Sequence, residues 1–127
     1  MEDFEKIYLD GVFVIAVNLN RSTINEAIIF RKILKEEINS GHTKLVIDLS
    51  KCVYIDSTFF GAIIVASRML IDLGSKLKVV KPGIVEEYIF THTNYLKVFD
   101  KYKTREEAIK SLEEDIQPES DENFQPD

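Results

Sequence analysis

Short β-branched runs alternate with stretches of helical apolar spacing, and no other feature of the chain restricts its fold as much. Lys44–Leu49 reads KLVIDL, a β-branched run bounded by polar residues and suited to a buried central strand. Ser75–Lys81 reads SKLKVVK, a second strand in which Leu77 and Val79 alternate with polar positions. Ahead of the first run, STINEAIIFRKILKEEINSG repeats apolar Ile24, Ala27, Ile28, Phe30, Ile33, Leu34 and Ile38 near a helical period. Thr23 and Glu26 fit a capping box at its start, and Ser40-Gly41 stops it. Between the two runs, Ser57 to Leu73 is apolar round most of its circumference, which predicts a well-buried helix closed by Gly74.

The flanking segments extend this pattern. EKIYLDGVFVIAVNL reads as two strands around Asp10-Gly11, a pair that favours the positive backbone angles of a tight hairpin. Pro82 suits the first turn of a third helix, PGIVEEYIFTHT, and YLKVFD reads as a short strand. Thr104 and Glu107 form a second capping box, opening REEAIKSL. The predicted order is ββαβαβαβα. This is an α/β domain with a mixed, mostly parallel sheet and an antiparallel hairpin at its start. Nothing within residues 1–112 resembles a linker, so they are read as one domain, with 113–127 as an acidic tail.

Charge has to be divided before it is used. The net charge of −6 rests on 22 acids and 16 bases. Seven of those acids and none of the bases lie from Glu113 to Asp127, so the body carries 15 acids against 16 bases. A near-neutral body lacks the basic footprint of a nucleic-acid binder. The tail EEDIQPESDENFQPD, with two prolines and few apolar groups, is expected to be disordered. No apolar run approaches the roughly 18 residues of a membrane span. The start MEDFEKIYLD has no hydrophobic signal-peptide core, and one cysteine makes no internal disulfide. A cytoplasmic protein is the simplest reading.

The chemistry concentrates where a strand end meets the central helix, in YIDSTFF (Tyr54–Phe60). An acid or hydroxyl before an apolar helix ordinarily caps it. The same place also suits a phosphate, because the first turn has unpaired N–H groups and a partial positive charge. The two uses are compatible: Asp56 can cap while Ser57 presents its hydroxyl. Phe59 and Phe60 point about 100° apart on a helix. At least one belongs to the core. Either both rings are buried, or one stands exposed beside Ser57 as an apolar anchor.

Other candidates read as structural. Cys52, with no second cysteine and no nearby histidine, is a small hydrophobe. His42 follows a helix-stopping glycine, and His92 lies near a predicted helix end. Asp48, at the end of the central strand, organises the following loop or helps to place Ser57. No pair of His, Cys or acids shows metal spacing, and no glycine-rich phosphate loop is present, so neither metal nor cofactor is expected. A nucleophilic Ser57 would need a base in reach, and there is no G-x-S-x-G elbow, so the chain is read as no enzyme.

VIDLS (Val46–Ser50) and YIDSTFFGA (Tyr54–Ala62), set in this element order, resemble the STAS domain family of sulfate transporters and anti-sigma-factor antagonists. The resemblance covers residues 4–112 and implies helices packed mainly on one face of the sheet. It further implies a regulatory binding module switched by phosphorylation. Ser57 matches the phosphoacceptor, Thr58 is its hydroxylated neighbour, and Asp56 precedes it as in the family. The implied partners are a serine kinase that doubles as an anti-sigma factor and a phosphatase that resets the switch. Two departures stand out. Phe59 occupies a position where the family usually has glycine. In VNLN, Asn18 and Asn20 replace an acidic pair that helps to engage the kinase. The expected partner surface is therefore Asp56, Ser57, Thr58, Phe59, Asn18 and Asn20. The alternative is a scaffold subunit for another signalling or transporter-ATPase complex, in which Ser57 is never modified.

Overall fold

The computed structural model describes residues 2–22, 24–82 and 100–114. Strands β1 (Phe4–Leu9) and β2 (Val12–Val17) form the expected antiparallel hairpin, with Leu9 opposite Val12 and Phe4 opposite Val17. Asp10 at φ +48° and Gly11 at φ +85° make its turn. Two positive φ angles in succession match the twist of the flanking strands, which is why Asp-Gly serves here.

After a two-residue strand β3 (Arg21–Ser22), helix α1 (Ile24–Asn39) leads to β4 (Leu45–Asp48). Thr23, the expected cap of α1, lies outside the described residues. A second two-residue strand, β5 (Tyr54–Ile55), enters α2 (Ser57–Asp72), which leads to β6 (Leu77–Val80). Both helices end alike. Gly41 (φ +100°) and Gly74 (φ +79°) each follow the last turn, while the next N–H reaches back to Glu37 O or Leu70 O. Only a residue at ease with positive φ closes a helix that way.

The predicted helix from Pro82 and most of YLKVFD fall in residues 83–99, outside the description. Beyond them, β7 (Asp100–Tyr102) precedes α3 (Arg105–Glu114). Thr104 Oγ1 accepts from Glu107 N at 3.1 Å, so the predicted cap forms. The helix runs through Glu113 and Glu114, residues read from the sequence as the start of the tail.

The five-stranded sheet has the order β1-β2-β4-β6-β7, antiparallel only between β1 and β2. Helices α1 and α2 cover one face, packing on Phe13, Ile15, Leu45, Ile47, Leu77 and Val79. On the opposite face, Ala108 and Leu112 of α3 meet Val12, Val14, Val46 and Val80. With both faces covered, β2 and β4 are buried at every position; β2 reads as a continuous apolar run, and β4 is apolar up to Asp48. Lys78 is also fully buried, its ammonium held 2.7 Å from Asp100 and 3.4 Å from Tyr102 Oη. A lysine between Leu77 and Val79 points to the α3 face, where its cross-strand partner is an acid.

Candidate functional site

The strand-to-helix junction is built from three segments. The loop after β2 reaches the segment before α2 through its backbone: Asn20 O accepts from Val53 N at 2.7 Å and from Tyr54 N at 2.9 Å. Pairing continues in parallel, Arg21 with Tyr54 and Ser22 with Ile55. This small sheet was not foreseen from the sequence, because two residues carry no periodicity. It fixes the entry of the chain into α2.

Asp56 then caps the helix. Its backbone is extended (φ −90°, ψ 174°), and its carboxylate Oδ1 accepts from Phe59 N at 2.9 Å. The first turn closes with Phe60 N donating to Asp56 O at 3.1 Å. The cap is thus supplied by the acid, and Ser57 at the first helical position is left exposed, as is Thr58. Among the described residues the Ser57 hydroxyl has no hydrogen-bond partner.

Phe59 does not join this surface. Its ring is wholly buried, stacked 4.5 Å from Phe30 of α1 at 5° and 6.4 Å from Phe4 of β1. Phe60 is 1% exposed, so both rings enter the core. The 100° between them is accommodated because α2 is enclosed on one side by α1 and on the other by the sheet. The expectation of Phe59 as a partner contact is corrected on this ground. The bulky residue at the family's glycine position instead clamps the first turn, with Ser57 and Thr58 held outward.

The two asparagines part company. Asn18 is half-buried, and its side-chain amide donates to Glu2 O at 2.9 Å in an exposed bond that extends the hairpin end. Asn20 is exposed and sits beside the helix entry through its carbonyl. The apolar groups that do reach solvent here are Val53 (51% exposed) and Tyr54 (37%), on the segment that leads into Asp56. Sequence reasoning missed them because it credited Tyr54 to a strand end and Val53 to the loop before it. Their pairing to a loop, not to the main sheet, leaves them on the outside.

Asp48 is nearly buried and serves structure. Its Oδ1 accepts from Ser50 N at 2.9 Å, and its Oδ2 receives Arg105 Nε at 3.0 Å and a terminal guanidinium nitrogen at 2.9 Å. The first half is the turn expected of it. The link to α3 spans 57 residues and left no local signal. Cys52 is buried, with Sγ 3.9 Å from Val17 O. Among the described residues no cluster of His, Cys, Asp or Glu is arranged to hold a metal, and no helix is long and apolar enough to cross a membrane. The His42 ring packs tilted against Tyr8 and Phe13 and lies 2.7 Å from Glu37, a packing role at the far end of α1; His92 lies outside the description.

Fold and site together describe an α/β domain, built on a five-stranded sheet with a small two-stranded one beside it, that offers a hydroxyl at the mouth of a buried, clamped helix. The family model for the STAS domain matches residues 4–108, and the chain belongs to that family. A crystal structure of a candidate anti-sigma factor antagonist from Thermotoga maritima is 26% identical, with a TM-score of 0.76 over 87% of this chain and 94% of its own. An anti-sigma factor antagonist from Mycobacterium paratuberculosis shares the fold at 21% identity (TM-score 0.74), over 87% of this chain and 92% of its own. The Bacillus cell-fate determinant SpoIIAA, in its phosphorylated form, does so at 17% (TM-score 0.66), over 86% and 98%. Comparison with curated protein sequences returned no match.

Proposed function

We propose that this chain is a non-enzymatic regulatory binding module whose affinity for a protein partner is set by phosphorylation of Ser57. One observation carries the reading: the cap of α2 is made by Asp56, so the exposed Ser57 hydroxyl is spared for chemistry. A partner kinase would transfer the γ-phosphoryl group of ATP. The Ser57 Oγ–P bond forms, the bond to ADP breaks, and the hydroxyl proton passes to the kinase's base. A phosphatase would reverse the state by hydrolysis. Thr58, one position on and also exposed, is the weaker acceptor. Asp56, Asn20, Val53 and Tyr54 border the docking surface, with the two apolar groups in the anchoring role once expected of Phe59. The similarity to anti-sigma factor antagonists supports a serine kinase of the anti-sigma type as partner, in the cytoplasm.

The replacement of the family's acidic pair by Asn18 and Asn20 favours a second reading, an unmodified scaffold subunit of another signalling or transporter-ATPase complex. Intact-mass and fragmentation analysis of protein from its native cells separates the two. A species about 80 Da heavier, with the phosphate mapped to Ser57 and lost in Ser57→Ala, supports the switch. A chain that stays bare under all growth conditions, while still retaining its partners in a pull-down, supports the scaffold. Full partner binding by Ser57→Asp would count against the switch.

A further inference from the structure

Helices α1 and α2 enclose between them, on the outer surface, a groove of about 350 Å³ that the proposed switch does not use. Its floor and walls are Leu34, Ala62, Val65, Ala66 and Met69, and its rim carries Arg31, Lys32 and Lys35. Among the described residues no acid lines it and none of the three bases has an ion-pair partner. Val65 is 42% exposed, so apolar surface is open to whatever enters.

An occupant that fits must bring negative charge and one apolar group. Residues 115–127 hold five acids, no base and a single aromatic, Phe124, set among Asp121, Glu122 and Asp127. They follow α3, which lies across the sheet from the groove. Packed layers sit about 10 Å apart, so about 20 Å separates the α3 layer from the α1–α2 layer. Ten residues separate Glu114 from Phe124, a reach of about 33–36 Å when extended. The direct separation leaves about 13–16 Å of chain for the path round the sheet to the groove. Tethering sets the local concentration in the millimolar range, so a weak contact is enough to be populated.

We infer that the acidic C-terminal segment of this chain docks in the α1–α2 groove, Phe124 over Val65 and Met69 and its carboxylates on Arg31, Lys32 and Lys35. The contact is intramolecular and salt-sensitive. At 1 M salt the screening length falls to about 3 Å, and the segment should leave.

The test uses the full chain labelled with ¹³C at the methionine methyls. A nitroxide is placed by Asn123→Cys; the native Cys52 is buried and does not compete for it. Docking predicts loss of the Met69 methyl signal with the oxidised label and its return on reduction or in 1 M salt. Phe124→Ala, and separately Lys32→Glu with Lys35→Glu, should each restore the signal in low salt. Lys32 and Lys35 are exposed on α1, and amide spectra report whether each variant stays folded. A Met69 methyl unaffected by the label overturns the inference. Broadening that grows with protein concentration, or that transfers from labelled to unlabelled chains when they are mixed, also overturns it and identifies a second copy as the occupant.

Discussion

Removing the cap and removing the acceptor should have opposite consequences, and the contrast tests the geometry at the helix mouth. Asp56→Ala deletes the 2.9 Å bond to Phe59 N and leaves that donor without its partner. Such a loss costs about 1 kcal/mol, within a range of about 0.5–2. For a chain of 127 residues the unfolding entropy is about 0.27 kcal/mol/K, so the melting temperature should fall by about 4 °C. In urea, with a slope of about 1.5–2 kcal/mol/M, the midpoint should drop by about 0.5–0.7 M. Asp56→Asn keeps an oxygen in the same place and should lose only a few tenths of a kcal/mol. Ser57→Ala removes an exposed hydroxyl that has no partner among the described residues and should stay within about 0.5 kcal/mol of the parent. The assay is equilibrium urea unfolding followed by far-UV circular dichroism. If Ser57→Ala costs as much as Asp56→Ala, or if Asp56→Ala costs nothing, then the serine is the cap. Its hydroxyl is then not spared for phosphorylation.

Three further outcomes follow from the packing. Phe59→Ala should cost about 3–5 kcal/mol, a large share of a typical domain's stability, because the ring stacks on Phe30 and has no exposed surface to give up; loss of the cooperative melt near room temperature is the readout. Arg105→Ala strips Asp48 of its charged partner and should cost about 1–3 kcal/mol, whereas the double change with Asp48→Asn should recover part of that in a mutant cycle. The Tyr8 phenol is held above its usual value, first by desolvation and then by its hydrogen bonds to Glu37. A raised folded value means that the unfolded chain ionises first, so the associated stability is complete below about pH 10 and is lost as pH rises through the folded value. Stability profiles of the parent should fall more steeply above pH 10 than those of Tyr8→Phe.

Much of this molecule could be read from residue patterns, and the failures have identifiable physical causes. Two periodicities, of strand and of helix, were enough for the α/β class and for both central helices, because buried faces impose them directly. Asp10-Gly11, Gly41, Gly74 and Thr104 were legible because backbone angles and caps are local chemistry. The long-range ties were not. Arg105 meets Asp48 across 57 residues, and Lys78 meets Asp100 only because β6 and β7 pair in a particular register. At the site, Asp56 and Ser57 were placed correctly by the helix boundary alone. Phe59 was misjudged because exposure at a helix start depends on what the neighbouring helix brings up to it. Val53 and Tyr54 were overlooked for the converse reason: a two-residue sheet held by Asn20 turns an apolar pair outward.

The clamped start of α2 bears directly on how one ester could govern binding without reshaping the domain. A phosphate on Ser57 adds a charge of about −1.5 to −2 and three strong acceptors where the first helical turn has donors and a partial positive charge. Asp56 repels it, but an exposed pair in 0.15 M salt is screened over about 8 Å. Phe59 and Phe60 hold the turn in the core, so there is little slack for the backbone to answer a charge outside. The free-energy change must then appear at whatever surface closes over Ser57. A partner that buried the phosphate without cations of its own would lose several kcal/mol, and each 1.4 kcal/mol is a factor of ten in affinity. On the proposed switch, rigidity of the helix mouth would convert a local charge into a binding decision. A looser first turn, as Phe59→Leu would give, should therefore blunt the difference in partner affinity between the two states even where the domain remains folded.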